Sequence, residues 1–497
     1  MNLKVMLEEV VKHYGEKTAI TLGNRSLSYA ELDETSNKVA NTLIKLGVSK
    51  DDRVAMLLSN SLEFVSIYFG ITKIGAIAVP LDTKYKVSEI NSLLNDSQPK
   101  VLVAESSFLR LLAPILPRFK YIEHVIELSH KYEGQFLSYQ EIMVTSSAHR
   151  VEVEPDPEDI AIIAYTSGPT FRPRGVMLSH QDLVTHAVVS GNKFQQTSED
   201  TTMLFALPMH HIFGLVTILL TSISKGSTVI ILPGLSLNGL METIEKERCA
   251  IFMGVPFIFI LMVHMAEEEG VNHDLSSLRL CGTAGAPIPT DIMKRFKQLY
   301  GLDIVQFWGL TEATAPVTCQ SVDGTGKLGS VGEVLPGWEM KIVEDDGKKL
   351  LPNQPGEIII RGPLMKGYYN NSQATAEVIK DGWLYTGDVG KVDEDGELFI
   401  LGRKKELIIV KGQNIYPSDI EIVLYTLPKV AEATVAGVPD ERRGEVVRAI
   451  ISLKKGEVAT EEEIRRFCRK HMANYKVPKQ VIFLNSLPRT TTGEIHK

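Results

Sequence analysis

A chain of 497 residues is longer than one hydrophobic core usually sustains, so two or more domains are expected. Hydrophobic residues at 44%, charged residues at 23% and a net charge of −8 without a dense Lys/Arg run describe a soluble globular protein and speak against a nucleic-acid partner. Four cysteines, Cys249, Cys281, Cys319 and Cys468, stand far apart with no paired spacing, which gives no zinc signature and suits a reduced cytoplasm.

The opening stretch Met-Asn-Leu-Lys-Val-Met-Leu-Glu-Glu is too charged for a signal peptide. Residues 1–150 then alternate helices and strands. Leu27 to Leu32 opens an amphipathic helix running to Leu46, with Ser28 as cap and Glu31 three residues on. A strand is expected over 53–58, a helix over 61–74, a strand over 75–81, and the pattern repeats through 89–94 and 101–104. This βαβ rhythm predicts a mostly parallel sheet with helices on both faces. Residues 203–220 are apolar but broken by Pro208, His210, His211 and Gly214, so a core helix after a loop is expected and not a membrane span. Strands are expected over 278–280, 303–307 and 356–362. After residue 402, strands over 407–410, 430–438 and 446–454 with helices over 418–425 and 461–468 read as a small α+β domain.

Several stretches carry chemistry. The apolar run 160–164 reads as a buried strand ending in a turn, followed by Thr166, Ser167, Gly168 and Thr170, with Arg172 and Arg174 close behind. Small residues and hydroxyls let a backbone wrap a phosphate, and arginines neutralise its charge. On composition alone a polar turn between strands is the better reading, and only the spacing points beyond it; the stretch is not a G-x-x-x-x-G-K-[ST] loop. In Gln306-Phe-Trp-Gly-Leu-Thr-Glu-Ala313 a largely apolar strand delivers an aromatic, a glycine, a hydroxyl and a carboxylate, as a nucleotide site at a strand's C-terminal edge requires. There Trp308 can stack on a purine, Gly309 leaves room, Thr311 can bond a phosphate, and Glu312 can hold Mg²⁺ together with phosphate oxygens. His210 and His211 lack a carboxylate or cysteine at ligand spacing, which favours a pocket-rim histidine over a metal site.

These motifs, in order and over nearly the whole chain, resemble those of the adenylate-forming superfamily of acyl-CoA synthetases, luciferases and peptide-synthetase adenylation domains. The phosphate loop there reads Thr-Ser-Gly-Thr-Thr-Gly-x-Pro-Lys-Gly. Here Pro169 replaces a threonine, Phe171 a glycine and Arg174 the lysine. The resemblance implies an α/β fold: a large N-terminal domain of mostly parallel sheets flanked by helices plus a β-subdomain, residues 1–402, and a small mobile α+β C-terminal domain, residues 403–497. It also implies ATP, Mg²⁺ and coenzyme A as cofactors and a small carboxylic acid as the other partner.

In the superfamily the Gly285-Ala286-Pro287 turn lies along the adenine, Asp388 of Tyr-Thr-Gly-Asp binds the ribose, and Arg403 contacts the nucleotide. The same resemblance makes Lys405 the hinge and lets Gly412 line the passage for the pantetheine arm. The histidine at the position of His211 borders the acyl pocket, and Gly309 keeps that slot open, where acetate-using relatives carry tryptophan. A longer or aromatic acid is therefore expected. The closing motif Leu487-Pro-Arg-Thr-Thr-Thr-Gly-Glu-Ile-His-Lys497 departs most, because Glu494 stands where relatives carry the lysine that reaches the carboxylate and α-phosphate. Three functions are implied: an AMP-forming acid:CoA ligase, an adenylation-impaired relative acting on acyl-AMP or as a binding protein, and a module loading a carrier protein. The first is expected, since no carrier domain is attached.

Overall fold

The computed structural model describes residues 1–489 apart from 129–135, 167–173, 206, 233, 235, 411–412 and 441–443. Local signals recur in it with their caps in place. Tyr29–Lys45 is a helix whose Ser28 and Glu31 form a reciprocal capping box. Leu62–Thr72 is capped by Ser61 and buried on every side, consistent with its nearly uninterrupted apolar run. Residues 203–220 depart from expectation. They begin inside the strand Thr201–Phe205, and the helix after the loop is a π-helix over Phe213–Leu220.

Two large sheets organise the part of the chain that precedes the small domain. In the nine-stranded sheet the central strands Thr228–Leu232, Thr201–Phe205, Ile251–Gly254, Leu280–Thr283 and Ile304–Leu310 run parallel. In the eight-stranded sheet Ile160–Thr166, Ile77–Pro80, Arg53–Leu57, Val101–Ala104 and His124–Glu127 run parallel, with Arg174–Ser179 and Gly367–Tyr368 added antiparallel at one edge. Strand Arg53–Leu57 sends Val54 and Met56 into one core and Ala55 and Leu57 into another, as a parallel sheet covered on both faces must. A third, antiparallel sheet of Glu339–Val343, Gly356–Arg361, Trp383–Val392, Ile379–Lys380 and Leu398–Arg403 is the β-subdomain.

A separate core begins at Ile408 and holds the helices Pro417–Tyr425 and Glu461–His471 against strands Val430–Asp440 and Gly444–Leu453. Two short strands there, Gln413–Ile415 and Gln480–Phe483, carry no clear pattern in the sequence and gain their definition from neighbours. This unit touches the rest through Ser418, whose hydroxyl donates to the Leu401 carbonyl, and through Arg489, whose guanidinium lies 3.7 Å from the centre of the Phe257 ring. Lys404 is paired with Asp345 at 2.8 Å and Glu357 at 2.7 Å, so the chain is tied to the β-subdomain up to the residue before Lys405.

Candidate active site

The strand Ile304–Leu310 is where the candidate residues converge. On one side it pairs in parallel with Leu280–Thr283, with Thr283 level with Gln306. Both chains therefore leave the sheet at the same C-terminal edge, bringing the Gly285-Ala286-Pro287 turn beside Phe307 to Leu310. Gly285 has φ +90°, a conformation that suits a residue without Cβ, and Gly285 and Pro287 are exposed. On its other side the strand pairs antiparallel with Ala315–Cys319, with a register slip between Trp308, opposite Thr318, and Gly309, opposite Pro316. The strand extends three residues beyond the expected 307, so Trp308 is buried in it while Gly309 is exposed at its end. Thr311 and Glu312 follow in a 3₁₀ turn and are half-buried. Thr314, at φ +67°, then turns the chain back, a strained choice for a β-branched residue.

Two short chains of polar contacts are built around this edge. In the first, Trp308 Nε1 donates to Asp388 Oδ2 at 2.9 Å and Arg403 Nε lies 3.0 Å from Asp388 Oδ1. Asp388 and Arg403 are also paired across neighbouring strands of the β-subdomain. Asp388 is only 6% exposed, and burial pushes its carboxyl above the usual range, opposed by Arg403 and the indole donor and reinforced by nearby Glu312. In the second, the Tyr368 hydroxyl donates to Glu312 Oε1 at 2.8 Å while the Arg174 guanidinium lies over the same ring, 5.0 Å from its centre. Thr166 sits directly opposite Arg174 in the antiparallel pair of strands Ile160–Thr166 and Arg174–Ser179.

The segment that carries His211 meets the same strand through Phe213. Phe213 donates its N–H to His211 Nδ1 at 3.2 Å, and the Phe213 ring meets Phe307 edge-on at 5.4 Å. Burial holds His211 uncharged, its pKa pulled down to about 4. His210, to which the motifs give no role, has its Nε2 3.5 Å from Asp82 Oδ2, a carboxylate that is 2% exposed.

The structure thus joins Trp308, Asp388 and Arg403 in one set of contacts and Arg174 and Glu312, through Tyr368, in another, with Gly309, Thr311 and Glu312 at the end of the same strand, Thr166 across from Arg174, the Gly285-Ala286-Pro287 turn after the neighbouring parallel strand, and His211 linked to Phe307 through Phe213. Ser167, Gly168, Thr170, Gly412 and Glu494 lie outside the described residues. Lys405 stands apart, exposed in the turn Lys404–Glu406. Sequence reasoning missed Tyr368 and the Asp82–His210 pair. Neither has a local signal, because each depends on strands far apart in the chain.

The donor set can be tested against a metal. Among the described residues no group of three or more His, Cys, Asp or Glu could hold one. That excludes an all-protein cage there but fits Mg²⁺, which is commonly held by one or two carboxylates together with nucleotide phosphates. Glu312, with one oxygen engaged by the neutral Tyr368 hydroxyl, is a carboxylate that could serve in this way.

The profile of AMP-binding enzymes matches residues 7–369, and that of the AMP-binding enzyme C-terminal domain matches 419–494. The chain belongs to the AMP-binding enzyme family. Within this family it is 33% identical to a long-chain-fatty-acid–CoA ligase of Bacillus subtilis, over 99% of this chain and 93% of that one. It is 35% identical to an indoleacetate–CoA ligase of Aromatoleum aromaticum, over 97% and 94%. Among solved structures, an anthranilate CoA ligase in complex with anthranoyl-AMP superposes with a TM-score of 0.94 at 29% identity, covering 100% of this chain and 95% of that one. ATP-bound MatB from Rhodopseudomonas palustris superposes at 0.91 with 30% identity, over 100% and 97%. The AMP-binding enzyme fold expected from the motifs, a large domain of parallel sheets and a small C-terminal one, is the fold observed.

Proposed function

We propose that this AMP-binding enzyme is an AMP-forming acid:CoA ligase acting on a medium- or long-chain fatty acid or an aromatic acid. A carboxylate oxygen attacks the α-phosphorus of ATP, releasing pyrophosphate and leaving acyl-AMP. The CoA thiolate then attacks the acyl carbon, and AMP leaves with the electron pair of the anhydride bond. The first step is needed because a free carboxylate is a poor electrophile.

The observation that carries this reading is the meeting of Arg174 and Glu312 on Tyr368, beside Asp388, at the edge where Trp308 and Gly309 emerge. A cation able to bind phosphates, a carboxylate able to bind a metal and a second carboxylate able to bind a ribose support that reading. In this reading Thr166, Ser167, Gly168 and Thr170 wrap the phosphates and Arg174 neutralises them. Glu312 binds Mg²⁺, which supplies charge stabilisation at the phosphate oxygens. Thr311 bonds the phosphate, Asp388 and Arg403 hold the ribose, and the Gly285–Pro287 turn and Trp308 flank the adenine. His211 and Gly309 border the acid, with His211 uncharged so that it adds no cation to an apolar pocket. Residues 403–497 rotate about Lys405 between the two steps, and Gly412 then lines the path of the pantetheine arm.

The indoleacetate, anthranilate and long-chain fatty-acid ligases among the relatives support CoA over a carrier protein as acceptor. Four buried, unpaired thiols agree with a cytoplasmic setting, and no described helix is long and apolar enough to cross a membrane. The test is to measure pyrophosphate release and thioester formation separately, across acetate, octanoate, palmitate, benzoate and indoleacetate. Release of pyrophosphate with none of them, or thioester formation only on a carrier protein, refutes the reading.

A further inference from the structure

The motifs assign no role to Tyr368, yet it is the side chain at which the two charged halves of the phosphate site meet. It is 5% exposed and sits on the two-residue strand Gly367–Tyr368. That strand is fastened to the phosphate hairpin, with Tyr368 opposite Val176. On either side, the Lys366 N–H donates to the Met177 carbonyl at 2.9 Å and the Tyr369 N–H to the Gly175 carbonyl at 2.7 Å. The Tyr368 N–H itself donates to Thr375 Oγ1 at 2.9 Å. The same segment also holds the other partner, since the Met365 N–H donates to the backbone carbonyl of Glu312 at 2.9 Å. The backbone of Tyr368 is therefore fixed relative to both Arg174 and Glu312 before its side chain does anything.

The side chain then separates two opposite charges. Its hydroxyl donates to Glu312 Oε1 at 2.8 Å, and its ring stands beneath Arg174 at 5.0 Å. Among the described residues no ion pair joins Arg174 to Glu312 directly. Left to themselves, a guanidinium and a carboxylate pair as a fork on a fork, which would occupy the donors meant for phosphate and the oxygens meant for a metal. A neutral phenol takes one lone pair of Glu312 and leaves the rest. A phenol is protonated at neutral pH, so the hydroxyl serves as a donor here.

We propose that Tyr368 is a positioning residue of the adenylation step: its hydroxyl aims the Glu312 carboxylate, and its ring keeps Arg174 from pairing with that carboxylate. This rests on the reading that Glu312 holds Mg²⁺ and Arg174 the phosphates. The two functions of Tyr368 separate by substitution. Tyr368→Phe keeps the ring and loses the donor, whereas Tyr368→Leu loses both.

The experiment measures ATP–pyrophosphate exchange against Mg²⁺ concentration, and thioester formation from supplied acyl-AMP and CoA, in the full-length protein. For Tyr368→Phe the half-saturating Mg²⁺ concentration rises about tenfold, the scale of one hydrogen bond to a charged group, and exchange recovers to within a few-fold at saturating Mg²⁺. For Tyr368→Leu exchange falls roughly a hundredfold and added Mg²⁺ does not restore it, since the arginine has closed on the carboxylate. Thioester formation falls less than about twofold in both. Unchanged half-saturating Mg²⁺ in Tyr368→Phe, or a parallel fall of both half-reactions, overturns the proposal. Glu312→Gln, run alongside, tells the two failures apart. If it leaves the Mg²⁺ dependence unaltered, the metal reading itself fails; if it shifts that dependence and Tyr368→Phe does not, only the role of Tyr368 fails. Should Tyr368→Phe not fold, 3-fluorotyrosine at position 368 keeps the shape. Its fluorine resonance must move on titration with Mg²⁺ and a non-hydrolysable ATP analogue, and a resonance that stays fixed through saturation overturns the proposal equally.

Discussion

Replacing Trp308 by phenylalanine tests whether the indole acts on Asp388 through its N–H or only through its bulk. Asp388 is 6% exposed and has two charged or polar partners, the Trp308 donor at 2.9 Å and Arg403 at 3.0 Å. Arg403 is about half exposed, with 53% of its side-chain surface accessible, so water already weakens that pair. The indole bond is the better shielded of the two. A hydrogen bond to a charged group contributes about 1.5–3 kcal/mol, so Trp308→Phe should lose that much in urea unfolding wherever Asp388 is ionised in the fold.

The sign with pH separates this loss from the lost volume. Burial raises the Asp388 pKa in the fold, so ionising it costs stability that is fully present below the unfolded value near 3.9 and lost as pH rises through the folded value. Removing the donor raises the folded pKa further. The two proteins should therefore differ least at pH 3.5–4 and diverge as pH rises, whereas a packing defect is the same at every pH. Under the proposed ribose role the KM for ATP also rises in the variant. Trp308→Tyr, which keeps a donor on a smaller ring, should lose less of the pH-dependent part. A stability difference that does not change between pH 4 and 8 would refute the hydrogen-bond argument and leave packing alone.

Four further outcomes are expected. Gly309→Trp should shift preference toward the shortest acids, because an indole fills the volume of the acyl slot; an unaltered chain-length profile places that slot elsewhere. Lys405→Pro, in the exposed turn Lys404–Glu406, should slow at least one half-reaction tenfold or more by restricting the pivot, and unaffected rates count against a hinge there. Glu494→Lys should speed adenylation by roughly two to three orders of magnitude while leaving thioester formation from acyl-AMP alone, since one charge contact at about 4 Å and an effective dielectric near 20 is worth ~4 kcal/mol; adenylation insensitive to the change assigns the task to another cation. His186, 1% exposed and held uncharged by burial with a pKa near 4, stabilises the fold above the unfolded histidine value near 6.5, and this is lost as pH falls toward 4. His186→Phe should remove about 2 kcal/mol of the stability loss between pH 6.5 and 5, and an unchanged slope in urea titrations would mean that the imidazole protonates inside the fold.

Much of the architecture is legible in local patterns. Ser28 and Glu31 announce a helix start that the fold uses as written, and the run from 101 to 104 is a strand with those bounds. The order of the motifs carries the family, since Arg174, Glu312 and Asp388 lie far apart in sequence and are joined only by topology. What escapes is tertiary in origin. Tyr368 lies in Lys366-Gly-Tyr-Tyr369, where two adjacent aromatics face different ways and nothing local says which one meets Glu312. His210 looks like an idle neighbour of His211 because its partner, Asp82, lies two residues past the strand Ile77–Pro80 of the other sheet. Sequence pattern ends the strand at 307 because the glycine two residues on, and the glutamate beyond it, lower strand propensity, while pairing with Ala315–Cys319 carries it to Leu310.

The register slip opposite Trp308 and Gly309 has a consequence for changes in chain length. Consecutive residues on the strand face Thr318 and Pro316, so Val317 is the residue in excess, and it belongs to the returning strand. Side chains along a strand change face at every step, so removing one residue between Ile304 and Trp308 would send the indole to the face now held by Phe307. Removing Val317 instead would leave Trp308 on its own face and straighten the pairing, rotating Gly309 and the turn with Glu312 against the sheet. At this edge the aim of the candidate site is set by how many residues lie between two strands as much as by which residues they are.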